Sequence, residues 1–272
     1  MNLTDTHCHL NLNTYQDDLL AVLNRARANG INRILVPALD LESSREILDL
    51  ADTHEFLYAA VGVHPNSAAT WNSKSFEDLN SLASHPKVVA IGEIGLDYYR
   101  DRAPRNTQVE ILKEQLQIAL NKKLPVILHV RNITDQDRSC IEDLIKVLED
   151  WMDSGKSLPQ ELSGRPGVIH SFSGNVEESR QVLDLEFFIG ITGAVTFKKA
   201  ETLREVVNKT PLKNLLVETD GPYITPHPFR GKRNEPSHVR YIVDKISEIK
   251  DHTQESIADQ TTVNAAFLFQ WE

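Results

Sequence analysis

Two histidines two positions apart, His7 and His9, lie in the stretch Asp5-Thr6-His7-Cys8-His9. On a strand, side chains two apart share a face, so both imidazoles point one way and Cys8 the other. Two imidazoles side by side inside a fold are costly unless something satisfies them, and a divalent metal does so. The short pattern alone fits a hydrogen-bonded pair on a surface strand equally well. Cys8, facing away, reads as a small buried hydrophobe rather than a ligand. Four more residues shift the balance. Glu93 follows Val88-Val89-Ala90-Ile91-Gly92, His129 follows Pro125-Val126-Ile127-Leu128, His170 follows Gly167-Val168-Ile169, and Asp220 follows Leu215-Leu216-Val217-Glu218-Thr219. Each is a ligand-type residue at the C-terminal end of an apolar run. One histidine so placed is usually structural; six such residues on five strand ends point to a site.

Four imidazoles and two carboxylates suit Zn²⁺, Mn²⁺ or Fe²⁺, and Mg²⁺ where waters complete the shell. Six ligands exceed what one tetrahedral ion takes. The expectation is therefore two divalent ions per chain, Mg²⁺, Mn²⁺ or Zn²⁺, with Glu93 between them. Two ions can clamp the attacking and leaving oxygens of a phosphoryl displacement. The segment after Asp220 carries Arg230, Lys232 and Arg233, and Arg131 lies two residues past His129. Guanidinium forks suit phosphate oxygens. His64, in Gly62-Val63-His64-Pro65, ends another apolar run and is a further candidate phosphate donor. The plain alternative is that the three basic residues are solvated loop charges. His54, His85, His227, His238 and His252 read as surface or loop residues.

The elements that must position these groups alternate along the chain. Short runs rich in Val, Ile and Leu, near 3–9, 32–37, 57–63, 87–92, 125–130, 167–171, 187–192 and 214–219, read as strands covered on both faces. Helical patterns lie between them. Over 16–29, Leu19, Leu20, Val22, Leu23 and Ala26 make an apolar stripe, with Gly30 suited to the C-terminal end. Segments 41–54, 74–84, 107–123, 135–153, 175–185, 199–208 and 236–250 read the same way, with Asn175 and Glu178 placed as a capping box. Eight strand–helix units in 272 residues predict an α/β fold of the (β/α)₈ TIM-barrel type, one domain over residues 1–272. A doubly wound open sheet is the alternative, but no glycine-rich loop follows the first strand. Residues 253–271 predict an additional C-terminal helix packing through Ala265, Ala266, Phe267 and Phe269. Residues 153–166, with Gly155, Pro159, Gly164 and Pro166, read as a long surface loop.

The composition, 40% hydrophobic and 25% charged, is that of a soluble globular protein. A net charge of −10 argues against a protein that holds nucleic acid by an extended basic surface, so any such attraction must be local. Two cysteines, Cys8 and Cys140, make no disulfide framework and suggest a reducing compartment. The first residues lack the basic and apolar regions of a signal peptide, and no apolar run reaches the length of a membrane span. Cytoplasmic residence, with no membrane and no obligate protein partner, is expected.

Taken together, the motifs resemble the TatD family of metal-dependent deoxyribonucleases, within the wider amidohydrolase-type barrels. The stretches that carry the resemblance are 5–10 (DTHCHL), 62–65 (GVHP), 92–99 (GEIGLDYY), 170–174 (HSFSG), 193–197 (GAVTF), 218–223 (ETDGPY) and 230–236 (RGKRNEP). They run in the family's order and cover essentially the whole chain. The resemblance implies a (β/α)₈ fold, divalent-metal dependence and hydrolysis of DNA phosphodiesters, with 3′ to 5′ exonuclease activity associated with members. The chain departs from the family after His129, where Val130-Arg131-Asn132 stands in place of Ser-Arg and an acidic residue, and in the length of the 153–166 loop; both bear on substrate choice.

On this reading His7, His9 and Asp220 hold one ion, His129 and His170 the other, and Glu93 bridges. Asp220 also serves as general base. His64, Arg131 and Arg233 hold phosphate oxygens, with Asn234 and Tyr223 as orienters, and the partner is the end of a DNA strand. Two rival readings stand beside it. The same barrel could hydrolyse a small ester, lactone or amide, or deaminate a nucleobase, because barrels host many reactions. Alternatively, a non-catalytic nucleic-acid-binding protein could retain a structural metal; the acidic charge and the size of the ligand set count against that.

Overall fold

The computed structural model describes residues 1–134, 136–153 and 158–271. Eight strands, β1 (Leu3–Asp5), β2 (Ile31–Pro37), β3 (Leu57–Val61), β4 (Val88–Asp97), β5 (Val126–Arg131), β6 (Gly167–Ile169), β7 (Phe188–Ile191) and β8 (Leu215–Val217), pair in parallel in chain order. Backbone bonds just past the strand ends bring β8 round to β1: Thr6 N to Val217 O at 3.2 Å, Asp220 N to His7 O at 2.8 Å and His9 N to Gly221 O at 2.8 Å. Asp5 staples the same seam, accepting from Thr219 N at 2.8 Å and Thr219 Oγ1 at 2.6 Å. The architecture is the TIM-type barrel that the alternation of elements predicts.

The helices are α1 (Leu19–Ala28), α2 (Leu41–Thr53), α3 (Ser75–Leu82), α4 (Arg105–Lys122), α5 (Ser139–Met152), α6 (Val176–Asp184), α7 (Glu201–Lys209), α8 (Val239–Lys250) and α9 (Gln254–Phe269). Local sequence explains their ends. Asn175 accepts from Glu178 N at 3.0 Å while Glu178 Oε2 accepts from Asn175 N at 2.7 Å, so the expected capping box starts α6. Helix α5 begins at Ser139, later than the periodicity predicts. Asn132 Oδ1 accepts from Cys140 N and Ile141 N, both at 3.2 Å, and anchors the first turn there. One of the two residues that depart from the family pattern, Asn132, thus holds a helix start. Asp135 and, in the 153–166 loop, Gly155 lie outside the described residues.

The core has two layers. Val22, Ile34, Ile47, Leu112, Leu144, Val206 and Ile242 belong to the larger cluster, between strands and helices. Within the barrel, Leu35, Ala60, Ala90, Ile127, Val168, Phe188 and Leu216 alternate inward and meet Ala265, Leu268, Phe269 and Trp271. Helix α9 therefore plugs the end where the strands begin: Asn264 Nδ2 donates to Leu215 O at 2.8 Å and Thr262 Oγ1 to Asn2 O at 3.1 Å. Of the expected contacts, that of Phe267 is peripheral: the side chain is about half exposed, with its ring centre 6.3 Å from that of Phe188, and Leu268, the next residue round the helix, fills the interior. With one end plugged, the other, where the strands finish, is free to carry a site.

Several strand ends differ from the sequence reading, and three of the differences bear on the site. β1 stops at Asp5 and β8 at Val217, because residues 6–9 and 219–221 bond to each other and to Leu35 irregularly instead of in a ladder. β4 runs on to Asp97: its ladder with β5 breaks between Ile91 and Ile94 and then resumes, pairing Gly95, Leu96 and Asp97 with His129, Val130 and Arg131. Glu93 therefore sits inside β4, at the irregularity, rather than after it. Gly95 is required there, since its φ is +136° and a Cβ would fall 2.1 Å from His129 O. Among the described residues no helix is long and apolar enough to cross a membrane.

Candidate metal centre

The barrel brings together all six residues expected to bind metal. Their centre is Glu93, which is almost completely buried. Its two oxygens face different partners. Oε2 lies 3.4 Å from His7 Nε2 and 3.6 Å from His9 Nε2. Oε1 lies 2.8 Å from His129 Nδ1, 3.9 Å from His170 Nε2 and 3.6 Å from His64 Nε2. Asp220 Oδ1 closes the arrangement at 3.7 Å from His9 Nε2, 3.9 Å from His7 Nε2 and 4.0 Å from His170 Nε2. Donor atoms within 4.8 Å of one another form three groups: His7, His9 and Glu93; His7, His170 and Asp220; and His64, Glu93 and His129.

The electrostatics fit a cation. Burial would raise Glu93, but the histidines around it outweigh that and hold the carboxylate well below its ordinary range. Burial and the neighbouring His7 push His9 down to about 3, so its ring is neutral and a lone pair is free. The Nε2 atoms of His7 and His9 stand 3.2 Å apart, and the Nδ1 atoms of both are buried without a partner. Two ring nitrogens converging on a carboxylate pair in this way make a donor set for a divalent ion. Cys8 is buried on the other side, 3.7 Å from Gly221 O and among core residues.

Two carboxylates that sequence reasoning did not assign orient the other histidines. Asp97 Oδ2 lies 3.3 Å from His129 Nε2. It is fixed by Asn66 Nδ2 at 2.9 Å, while Oδ1 accepts from the amides of Tyr99 and Arg100 at 3.0 and 2.9 Å. Glu218 Oε1 lies 3.0 Å from His170 Nδ1 and accepts from Ser171 N at 2.6 Å. Gly190 on β7 makes room for it, since a Cβ there would meet Glu218 Oε1 at 2.5 Å. A carboxylate behind a ligating histidine fixes its tautomer and raises its basicity. The available signal was position: Asp97 and Glu218 lie in the same strand-end motifs as Glu93 and Asp220.

His64 differs from the other histidines. Its Nδ1 accepts from Asn66 N at 3.0 Å, so in the neutral ring, which burial favours by pushing His64 down to about 3, the proton resides on Nε2. That nitrogen faces the site as a donor, suited to an anionic oxygen rather than to a metal.

The remaining candidates divide. Tyr223 is 55% exposed and its ring centre lies 6.3 Å from that of His9. Arg131 is exposed at the end of β5 and stacks over Tyr99 at 4.1 Å. Arg233 and Asn234 are turned to the framework. The Arg233 fork is bidentate to Asp18 at 2.7 and 2.7 Å and also donates to Thr14 O at 2.6 Å. Asn234 is fully buried, and its Nδ2 donates to Thr219 O and Tyr223 O, each at 2.7 Å. Arg230 stacks on Phe197 at 3.9 Å.

A parallel barrel with histidines and carboxylates gathered where its strands end defines the class, a metal-dependent hydrolase barrel. Residues 4–270 match the family described as TatD related DNase, and the chain belongs to that family. It is 40% identical over 268 residues to the uncharacterized metal-dependent hydrolase YabD of Bacillus subtilis, covering 98% of this chain and 99% of that one. The crystal structure of the TatD homologue YjjV from Escherichia coli matches with a TM-score of 0.89 at 33% identity, covering 99% of this chain and 98% of the other. A TatD family hydrolase from Entamoeba histolytica shares the fold at a TM-score of 0.84 and 24% identity, over 99% of this chain and 98% of that one.

Proposed function

We propose that this metal-dependent hydrolase is a phosphodiesterase that digests DNA from a strand end, in the 3′ to 5′ direction, with two divalent ions. The observation that carries the two-ion reading is the split of Glu93, one oxygen toward His7 and His9, the other toward His129 and His170. On this reading His7, His9, Asp220 and Glu93 Oε2 hold one ion, and His129 Nδ1, His170 Nε2 and Glu93 Oε1 hold the other. Bound there, the ions supply Lewis-acid charge for the phosphoryl oxygens and lower the pKa of water. The chain's residues do the rest. Asp220 accepts the proton of the attacking water. His64 donates its Nε2 proton to a non-bridging phosphate oxygen, where negative charge grows in the transition state. Asp97 and Glu218 keep the His129 and His170 rings aimed at the ions. Arg131 meets a phosphate at the rim, and Tyr223 orients the strand beside His9. Arg233 and Asn234, committed elsewhere, act by holding the loop after β8 in place.

One observation favours a second reading. In the basic loop Arg230 lies over Phe197, Lys232 over Phe229 and Arg233 on Asp18, which leaves His64 and Arg131 as the phosphate donors and suits a small ester, lactone or amide better than a strand dense in phosphates. The test is digestion of end-labelled single-stranded DNA, with an RNA control, by metal-stripped protein reloaded with Mg²⁺, Mn²⁺ or Zn²⁺, beside a His129→Ala/Asp220→Ala variant. A ladder shortening from the 3′ end and lost in the variant supports the exonuclease. Absence of cleavage with every metal, together with turnover of a neutral ester, would replace it by the second reading. Asp220→Asn with metal retained and normal turnover would remove Asp220 from the role of base.

A further inference from the structure

Beside the metal centre, the segment between β4 and α4 presents Tyr99, a large aromatic side chain that is 52% exposed. Tyr99 is not free to wander. Its amide donates to Asp97 Oδ1 at 3.0 Å, and Asp97 is the carboxylate behind His129. The Arg131 guanidinium lies 4.1 Å from the ring centre, and that of Arg100 lies 5.8 Å away. Arg131 reaches this place because its Cα pairs with that of Asp97 across β4 and β5. Neither Arg100 nor Arg131 pairs with a carboxylate among the described residues. The contrast with Arg233, neutralised by Asp18, is direct. In a chain of net charge −10, two arginines beside an exposed ring, without a carboxylate partner among the described residues, are a local answer to the need for attraction to an anion.

We propose that Tyr99, backed by Arg131, is a stacking shelf for a base of single-stranded DNA whose end occupies the metal centre. The inference rests on the phosphodiesterase reading above and names the part of the site that selects the form of the substrate. An aromatic face takes any base, so the shelf is tolerant of sequence, while the adjacent guanidinium meets the backbone phosphate. A base stacked there is out of its duplex, so the shelf favours a single strand or a frayed end over an intact helix. Tyr99 touches the substrate away from the reacting atoms and contributes to binding rather than to the chemical step.

The test is steady-state kinetics of the metal-loaded full chain on short 5′-labelled single-stranded oligonucleotides, intact or with one abasic residue placed in turn at each position near the 3′ end. Tyr99→Ala is expected to raise KM about tenfold with kcat little changed, and Tyr99→Trp to restore it. At the stacked position an abasic residue costs the wild type a similar factor and costs Tyr99→Ala nothing further, which a merely structural role would not produce. An unchanged KM in Tyr99→Ala, or two penalties that multiply, overturns the shelf while DNA digestion by the wild type stands. Failure of the wild type to digest DNA overturns the phosphodiesterase reading, and the shelf with it.

Discussion

The two sides of Glu93 are built differently. On the side of His7 and His9, the outer ring nitrogens have no partner, and His9 is held neutral by burial. On the side of His129 and His170, each ring is backed by a second carboxylate, Asp97 or Glu218. Burial lowers both of these histidines, yet the carboxylates outweigh it and hold His129 up to about 9 and His170 up to about 10. The first half can accept a cation without displacing a proton from His9. The second half, without metal, is a pair of imidazolium–carboxylate contacts and must release protons when an ion enters. On the two-ion reading, this contrast would make the loading of the second half the one governed by protons at His129 and His170.

The largest effect comes from removing what the two halves share. Glu93→Ala takes an oxygen from both, and turnover is expected to fall by about 10³-fold or more, the scale of losing a principal charge-stabilising group. Metal analysis should show both ions weakened. Loss of one ion with the other held at wild-type affinity would mean that Glu93 belongs to one half alone.

Next come the carboxylates peculiar to the second half. Asp97→Asn and Glu218→Gln each weaken metal binding there by roughly 10- to 100-fold, as removal of such supports does, and leave the His7 and His9 half near its wild-type affinity. Titration of metal-stripped protein, counting the two ions separately, would read this. Equal weakening of both ions would erase the distinction between the halves.

The third test is pH, and its sign follows from the raised pKa values. Below about 9 to 10, protons compete with metal at His129 and His170, so affinity in the second half rises with pH up to that range and then levels off. In the first half His9, at about 3, adds no such slope near neutrality. Metal titration calorimetry in buffers of different ionisation enthalpy should report proton release for the second ion. In the metal-free protein the same raised values favour the fold fully below about pH 6.5, the ordinary histidine value. That stabilisation is lost as pH rises through 9 to 10.

These halves were unequally legible. His7 and His9 announce themselves by spacing, and His129, His170, Glu93 and Asp220 by standing where apolar runs end; the barrel rule then gathers them at one face. Periodicity also places all eight strands. It does not show that β4 breaks register at Glu93 and continues to Asp97, because the irregularity is a property of its pairing with β5. Nor does it show which nitrogen of His64 carries the proton, which is decided by the Asn66 amide. The roles of Asp97 and Glu218 depend on the direction of a buried side chain. The pairing of Arg233 was illegible for a related reason: its partner Asp18 is 215 positions away in sequence, and a basic loop looks the same on paper whether its charges are free or paired.

That pairing gives the smallest expected effects and the finest test of the rim. Arg131 is unpaired with any carboxylate among the described residues and stacks on Tyr99, whereas Arg233 is spent on Asp18 and Thr14. Each phosphate contact contributes about one unit to the slope of log affinity against log salt concentration. Arg131→Ala should therefore weaken DNA binding and flatten that slope by about one, while Arg233→Ala should leave the slope where it is. Any loss of affinity in Arg233→Ala then reflects a loosened loop after β8 and should be insensitive to salt. If Arg233→Ala flattens the slope instead, the Asp18 pair opens in solution and the basic loop joins the phosphate-binding surface; the difference between the two arginines would then be one of conformation, not of role.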